Sequence, residues 1–79
     1  MNPRKAFERR EFWVVFESCL DKLRDRIRSV FTLRELEGCS ADGICTQLEI
    51  TSTNLWGMLY RARARLRICI EENWFKANK

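Results

Sequence analysis

Four arginines alternate with alanine or leucine near the end of the chain and could bind the phosphates of a nucleic acid. They are Arg61, Arg63, Arg65 and Arg67, and Tyr60 stands directly before them. A guanidinium group can donate two parallel hydrogen bonds to a phosphate or to a base edge. The residue types therefore indicate binding of a polyanion.

Positive charge is concentrated in the same part of the chain. Residues 1–54 contain nine Lys or Arg and nine Asp or Glu, so their formal charges cancel. Residues 55–79 contain six Lys or Arg and two Asp or Glu, which accounts for the whole net charge of +4. A local excess of this kind attracts phosphates. The plainer interpretation is a solvated basic helix whose arginines only keep the domain in solution.

The residue types that carry catalysis or bind metals are largely missing. The 79 residues include no His and no glycine-rich phosphate loop, so we expect no enzymatic activity and no cofactor. The four cysteines form no CxxC pair, so we expect no metal site. We predict instead free, buried thiols, as in a cytosolic protein. These cysteines are Cys19, Cys39, Cys45 and Cys69.

No segment has the composition of a membrane span or a secretion signal. No apolar run approaches the ~20 residues needed to cross a bilayer. The first residues, MNPRKAFERREF, are charged and lack an apolar signal core. We therefore expect a cytoplasmic protein without membrane insertion.

The arginines must be positioned by a helix, and residues 40–67 read as two helices joined by a tight turn. Ser40 is placed to cap the first of these helices, and Thr51 is placed to cap the second. Residues 49–51 form the turn, with Ile50 pointing inward. Two short helices joined in this way are a helix-turn-helix. The second helix has a buried stripe at helical spacing: Leu55, Leu59, Ala62 and Leu66.

The remaining positions of the second helix face outward. A helix that is fixed by its neighbours and offers polar and basic groups can enter the DNA major groove. The first-turn residues, with their free backbone amides, suit a phosphate at the helix N-terminus. The outward positions are Ser52, Thr53, Trp56, Gly57, Tyr60, Arg61 and Arg65.

The whole chain is predicted to be all-α, a four-helix domain of residues 1–79 with an ordered core at about 6–75. The helices are expected at about 6–23, 25–37, 41–48 and 52–74. Gly38 should end the second helix, because glycine accepts a left-handed conformation. Trp74 and Phe75 should fold back on the first helix. The predicted core residues before the turn are Phe12, Phe16, Cys19, Leu23, Ile27, Val30 and Phe31, with Leu33 and Leu36 further on.

Several runs, in this order, resemble region 4 of bacterial sigma-70-type RNA polymerase sigma factors. They are FTLRELEG at 31–38, Ser40, Ile44, LEIT at 48–51, YRAR at 60–63 and Leu66-Arg67. The chain is most similar to the extracytoplasmic-function group. The resemblance implies a domain that reads the minus-35 promoter element through its last helix. It also implies docking on the flap of the polymerase beta subunit, and often capture by an anti-sigma factor.

The resemblance also assigns the DNA-facing positions. It places Trp56, Gly57, Tyr60 and Arg61 on the bases and backbone, with Arg63 near the phosphates. Arg61 is the best candidate for a base-edge or phosphate contact. Together with the reading of the helix itself, the candidate DNA-binding residues are Thr51, Ser52, Thr53, Asn54, Trp56, Gly57, Tyr60, Arg61, Arg63 and Arg65.

The sequence departs from the family pattern at three informative positions. Trp56 stands where a basic or polar residue is common, and Gly43 stands where Glu usually completes a capping box with Ser40. Glu49 takes a turn position where Gly is frequent, which predicts strain in the turn. The family's region 2 is absent, so we expect an excised domain or a small protein that kept only this module.

Two other functions remain open. The first is a protein-interaction domain in which Trp13, Trp56, Trp74 and Phe75 dock on the polymerase flap or an anti-sigma factor, with DNA contact secondary. An exposed indole is a typical interface anchor. The second is a helix-turn-helix regulator of the response-regulator type, which the LRELEG and RAR runs fit less well.

Overall fold

The computed structural model describes residues 9–76, which form four α-helices and contain no β-strand. The all-α, four-helix prediction is confirmed. The predicted helix start near residue 6, the frayed first residues and most of the predicted disordered tail lie outside the described residues. The helices are α1 (Arg10–Asp21), α2 (Asp25–Phe31), α3 (Ala41–Leu48) and α4 (Ser52–Ile70), and π-helical turns at Thr32–Leu36 and Glu71–Phe75 continue α2 and α4.

The helix-turn-helix closes over its own apolar cluster. Ile44 of α3 and Leu55 and Leu59 of α4 are fully buried, together with Val30 of α2. Ile50, in the turn between α3 and α4, packs against the same cluster. Burying aliphatic side chains of this size contributes roughly 1.5–3 kcal/mol each. The cluster therefore fixes the angle at which α4 leaves the turn.

A second cluster attaches α1 and α2 to the middle of α4. Leu23, Ile27 and Phe31 pack there against Ala62 and Leu66. With Leu55 and Leu59, these two residues complete the predicted buried stripe of α4, and that prediction is confirmed at all four positions. Because this stripe is packed against the other helices, the orientation of the opposite, outward face of α4 is fixed as well.

The same cluster contains a disulfide, which corrects the prediction of four free thiols. Cys19 of α1 is bonded to Cys69 of α4, and their Cα atoms are 5.8 Å apart. Both cysteines lie on the inward faces of two helices that pack together, which brings their sulfur atoms into reach. Cys39 and Cys45 have free thiols and are half-buried.

The end of α4 folds back on the start of α1, as predicted. Trp74 is buried against Phe12, with the two rings edge to face and their centroids 5.7 Å apart. Phe75 packs at the edge of this pair. The guanidinium of Arg9 lies over the Trp74 ring, 5.6 Å from its centroid. Trp74 is therefore a core residue and is removed from the predicted docking surface.

The π-helical turn after α2 changes which side chains face inward. The α-helical period predicts that Leu36 continues the core stripe, but this side chain is 52% exposed. A π-helical turn contains more residues than an α-helical turn, so positions within it, such as Leu36, rotate away from the α-helical stripe. Gly38 then adopts a left-handed conformation (φ 71°) and ends the segment, as predicted. No helix in residues 9–76 is both long enough and apolar enough to cross a membrane.

Candidate nucleic-acid interface

The turn between α3 and α4 begins at a left-handed residue, and each of these two helices starts at a capping hydroxyl. Glu49 has φ 55°, and α3 ends there because a left-handed residue cannot continue an α-helix. The amide of Ile50 donates to the carbonyl oxygen of Cys45 at 3.0 Å. At the start of α3, the Ser40 hydroxyl accepts from the amide of Gly43 at 3.0 Å, which confirms that cap. Glu49 carries a Cβ in this left-handed conformation, which is the strain predicted for the turn.

The N-terminus of α4 is exposed and capped. The Thr51 hydroxyl accepts a hydrogen bond from the amide of Asn54 at 3.1 Å, as predicted. The amide of Leu55 donates to the Thr51 carbonyl, so the amides of Ser52 and Thr53 precede the first intrahelical bond. Side chains 51–54 are all exposed. The positive end of the helix dipole is thus open to an anion.

The face of α4 opposite the buried stripe carries Tyr60 and Arg61. Tyr60 is 75% exposed, and Arg61 is also exposed. A Cβ atom added at Gly57 would lie 3.9 Å from Arg61 Nη2, so the guanidinium extends back along the helix beside Gly57. The predicted neighbours Gly57, Tyr60 and Arg61 therefore share one outward surface.

Trp56 is held at the edge of this surface by an arginine from the π-helical turn. The Arg34 guanidinium carbon lies 5.9 Å from the centroid of the Trp56 ring, within the range of a cation–π contact. Arg34 Nη1 also donates to the carbonyl oxygen of Cys39 at 3.1 Å. The indole remains 48% exposed. It can thus meet a partner while one region of its ring is covered.

Arg63 has a carboxylate partner, which the sequence did not indicate. Its Nη2 donates to Oε1 of Glu35 in an ion pair between α4 and the π-helical turn. Arg61, Arg65 and Arg67 form no ion pair with any residue of the 9–76 segment. The arginines of α4 therefore differ: within this segment Arg63 is ion-paired, whereas the other three are not.

Arg67 belongs to the basic run of α4 but was left out of the candidate DNA-binding residues, and it lies beside two of them. A shallow groove of about 230 Å³ on the surface of α4 is lined by Tyr60, Arg63, Ala64 and Arg67. The signal was present in the sequence, since Arg63 and Arg67 are four residues apart and share one helix face. Arg34 and Glu35 were also missed, because their partners are distant in sequence.

Metal ligands do not converge in the described part of the chain. Among residues 9–76 no three His, Cys, Asp or Glu side chains form a group that could hold a metal ion. What the surface around α4 offers is hydrogen-bond donors, unpaired guanidinium groups and aromatic rings. These groups bind phosphates, base edges and sugars.

The chain is similar to proteins of bacterial transcription. A family model described as "Sigma-70, region 4" matches residues 14–66. A protein of Haemophilus influenzae (strain Rd), described as "Probable RNA polymerase sigma factor", is 40% identical over 62 residues. The match covers 78% of this chain and 32% of that protein. The chain thus spans about a third of the length of the curated relative it matches.

Proposed function

Because the chain belongs to the sigma-70 region 4 family, we propose that it reads the minus-35 element of a promoter through α4. The observation that carries the proposal is the two-sided character of this helix. Its inward stripe is fixed by the helix-turn-helix core, and its opposite face presents Gly57, Tyr60 and Arg61. A helix held in this way can be inserted into the major groove without further rearrangement.

Each part of the surface has a role in this proposal. Arg61 donates to a base edge or a phosphate, and Tyr60 packs on a sugar or a thymine methyl and donates its hydroxyl. Trp56 contacts the sugar–phosphate backbone, and Arg65 neutralises a phosphate. The exposed helix N-terminus binds a further phosphate through its amides and short polar side chains, at Thr51, Ser52, Thr53 and Asn54.

Membership of the family supports the rest of the proposal. The module is non-catalytic, acts in the bacterial cytoplasm and works while docked on the flap of the RNA polymerase beta subunit, as in the extracytoplasmic-function group. An anti-sigma factor is a further partner. The relative's description as a probable sigma factor supports this assignment.

The test is fluorescence anisotropy with two short duplexes, one carrying a minus-35-like sequence and one with the same bases scrambled. Each duplex is titrated at two salt concentrations. A preference for the promoter duplex that persists at the higher salt supports groove readout. Weak and equal binding that falls steeply with salt means phosphate attraction alone, and contradicts the proposal.

Arg61→Ala distinguishes a base contact from a phosphate contact. We expect promoter binding to weaken by ~1–3 kcal/mol and the preference over the scrambled duplex to fall. Arg10→Ala removes the same charge at the start of α1 and is the matched control. An equal loss on both duplexes would make Arg61 a phosphate ligand.

The alternative function is a protein-interaction module, and the apolar exposure of α1 favours it. Trp13 is 45% exposed and Val14 is 63% exposed. Val14→Glu should weaken binding of core polymerase to the immobilised chain, whereas Ile68→Glu, a matched change at an exposed position of α4, should not. If both variants bind core polymerase as well as the wild type does, α1 is not the docking surface.

A further inference from the structure

Glu35 and Arg63 form an ion pair on the surface that the proposed function assigns to DNA. Arg63 belongs to α4, and Glu35 belongs to the π-helical turn at Thr32–Leu36. The two side chains are 56% and 34% exposed, so the pair lies at the surface of the protein rather than in its core. Arg63 also lines the groove that contains Tyr60 and Arg67. A phosphate that approached this groove would meet an arginine that already has a partner.

We propose that Glu35 holds the Arg63 guanidinium away from DNA phosphates and so lowers the affinity of α4 for DNA of any sequence. This inference rests on the proposed function, since it concerns the same surface. Glu35 acts through Arg63 and is a positioning residue, not a DNA ligand. The sequence predicted that Arg63 lies near the phosphates. The pair with Glu35 gives Arg63 a different role from Arg61 and Arg65.

The π-helical turn that carries Glu35 is held against α4, close to Arg63. Its neighbour Arg34 contacts the Trp56 ring and donates to the carbonyl oxygen of Cys39. Trp56 and Arg63 are two helical turns apart on one side of α4, so the π-helical turn contacts this helix at two points. These contacts hold the π-helical turn against α4 and so place Glu35 beside Arg63.

The effect on DNA binding follows from counterion release. Each arginine that neutralises a phosphate releases condensed counterions and makes binding more dependent on salt. In the pair, the Glu35 carboxylate offsets the charge of Arg63 and occupies its Nη2, so Arg63 adds no free cation to neutralise a phosphate. The pair therefore removes one sequence-independent contact, whereas Arg61 has no ion-pair partner among the described residues.

The experiment measures the salt dependence of binding to the scrambled duplex with the 79-residue chain. The Glu35→Gln variant keeps the size of the side chain and removes its charge. We expect the slope of log affinity against log salt to steepen by ~0.9, the value for one added phosphate contact. Affinity at low salt should rise by up to about fivefold, since exposed ion pairs are individually weak.

Two further variants separate Arg63 from a general charge effect. Glu37→Gln removes the same charge two residues away, where the Glu37 side chain has no ion pair with another described residue, and it should leave the slope unchanged. The double variant Glu35→Gln/Arg63→Gln should return the slope to the wild-type value. Thermal unfolding of every variant by circular dichroism identifies any that is not folded at the binding temperature.

The outcomes are distinct from those that test the proposed function. An unchanged slope in folded Glu35→Gln, or a steeper slope that persists in the double variant, overturns the inference. A lower affinity of Glu35→Gln for both duplexes would mean that Glu35 only supports the fold, which also overturns it. A wild-type chain that does not prefer the promoter duplex contradicts promoter reading, whereas the change of slope still tests the role of Glu35.

Discussion

Arg26 joins the start of α2 to the end of α3 through the backbone of Leu48. Its Nη2 donates to the Leu48 carbonyl oxygen at 3.0 Å, and Leu48 is the last residue of α3. A cation at this end of a helix also interacts favourably with the helix dipole. Arg26→Met should lower the free energy of unfolding by ~1 kcal/mol, measured by urea denaturation. Arg24→Met, in the preceding link, is the control and should change it by less than ~0.5 kcal/mol.

Gly57 lies inside α4 without a structural need for glycine. An added Cβ would make only an ordinary contact with the Arg61 guanidinium, at 3.9 Å from Nη2. Gly57→Ala should therefore raise the free energy of unfolding by ~1 kcal/mol, because alanine favours a helix interior and restricts the unfolded chain. Thermal unfolding checks this prediction. A lower melting temperature would show that the backbone at this position needs glycine.

The packing of Trp74 on Phe12 predicts that the end of the chain is part of the core. Trp74→Ala should cost roughly 3–5 kcal/mol of stability, the range for a large buried aromatic side chain. Tyr60→Ala, on the exposed face of α4, is the control and should have little effect on the fold. Unchanged denaturation of the Trp74 variant would contradict the described packing.

The Cys19–Cys69 disulfide predicts a stability that depends on redox conditions. The bond closes a loop with a sequence separation of 50, and reduction should lower the free energy of unfolding by ~2–4 kcal/mol. Urea denaturation with and without dithiothreitol measures the difference. Cys39→Ser/Cys45→Ser keeps the bonded pair and should retain the full response to the reductant.

The Cys19→Ser/Cys69→Ser variant completes this test. It should be equally stable with and without reductant, because no bond remains to be broken. A response to dithiothreitol that persists in this variant would assign the effect to other cysteines.

Glu49 is the only residue other than glycine with a positive φ among residues 9–76. Side chains of L-residues crowd the backbone in this conformation, which costs roughly 1–2 kcal/mol, whereas glycine adopts it freely. Glu49→Gly should therefore stabilise the chain by ~1 kcal/mol in thermal unfolding. Glu49→Ala keeps the Cβ and removes the charge, so it should not stabilise the chain. An equal gain in stability in both variants would mean that the charge, and not the backbone conformation, is the cause.

The sequence predicted those features that depend on local periodicity and capping. The stripe from Leu55 to Leu66 follows from helical spacing, and the caps at Ser40 and Thr51 follow from a hydroxyl placed before a helix. Gly38 was predicted as a helix end because glycine accepts a positive φ. Each of these signals lies within a few residues of the feature that it specifies.

The features that the sequence did not predict depend on contacts between distant residues. The bond from Cys19 to Cys69 and the pair of Glu35 with Arg63 join residues separated by 50 and 28 positions. No local pattern marks either one. The exposure of Leu36 was missed because a π-helical turn changes the period without a distinctive composition.

The half-exposed indole of Trp56 gives α4 a fluorescent reporter of its own. Trp13 lies on α1 and Trp74 is 3% exposed, so their emission should respond less to a ligand at the surface of α4 than that of Trp56, which is 48% exposed. A sugar or base that covers the Trp56 indole would exclude water from it and shift its emission to shorter wavelength. Promoter binding could then be followed in real time with unlabelled protein, from the helix that we propose enters the groove.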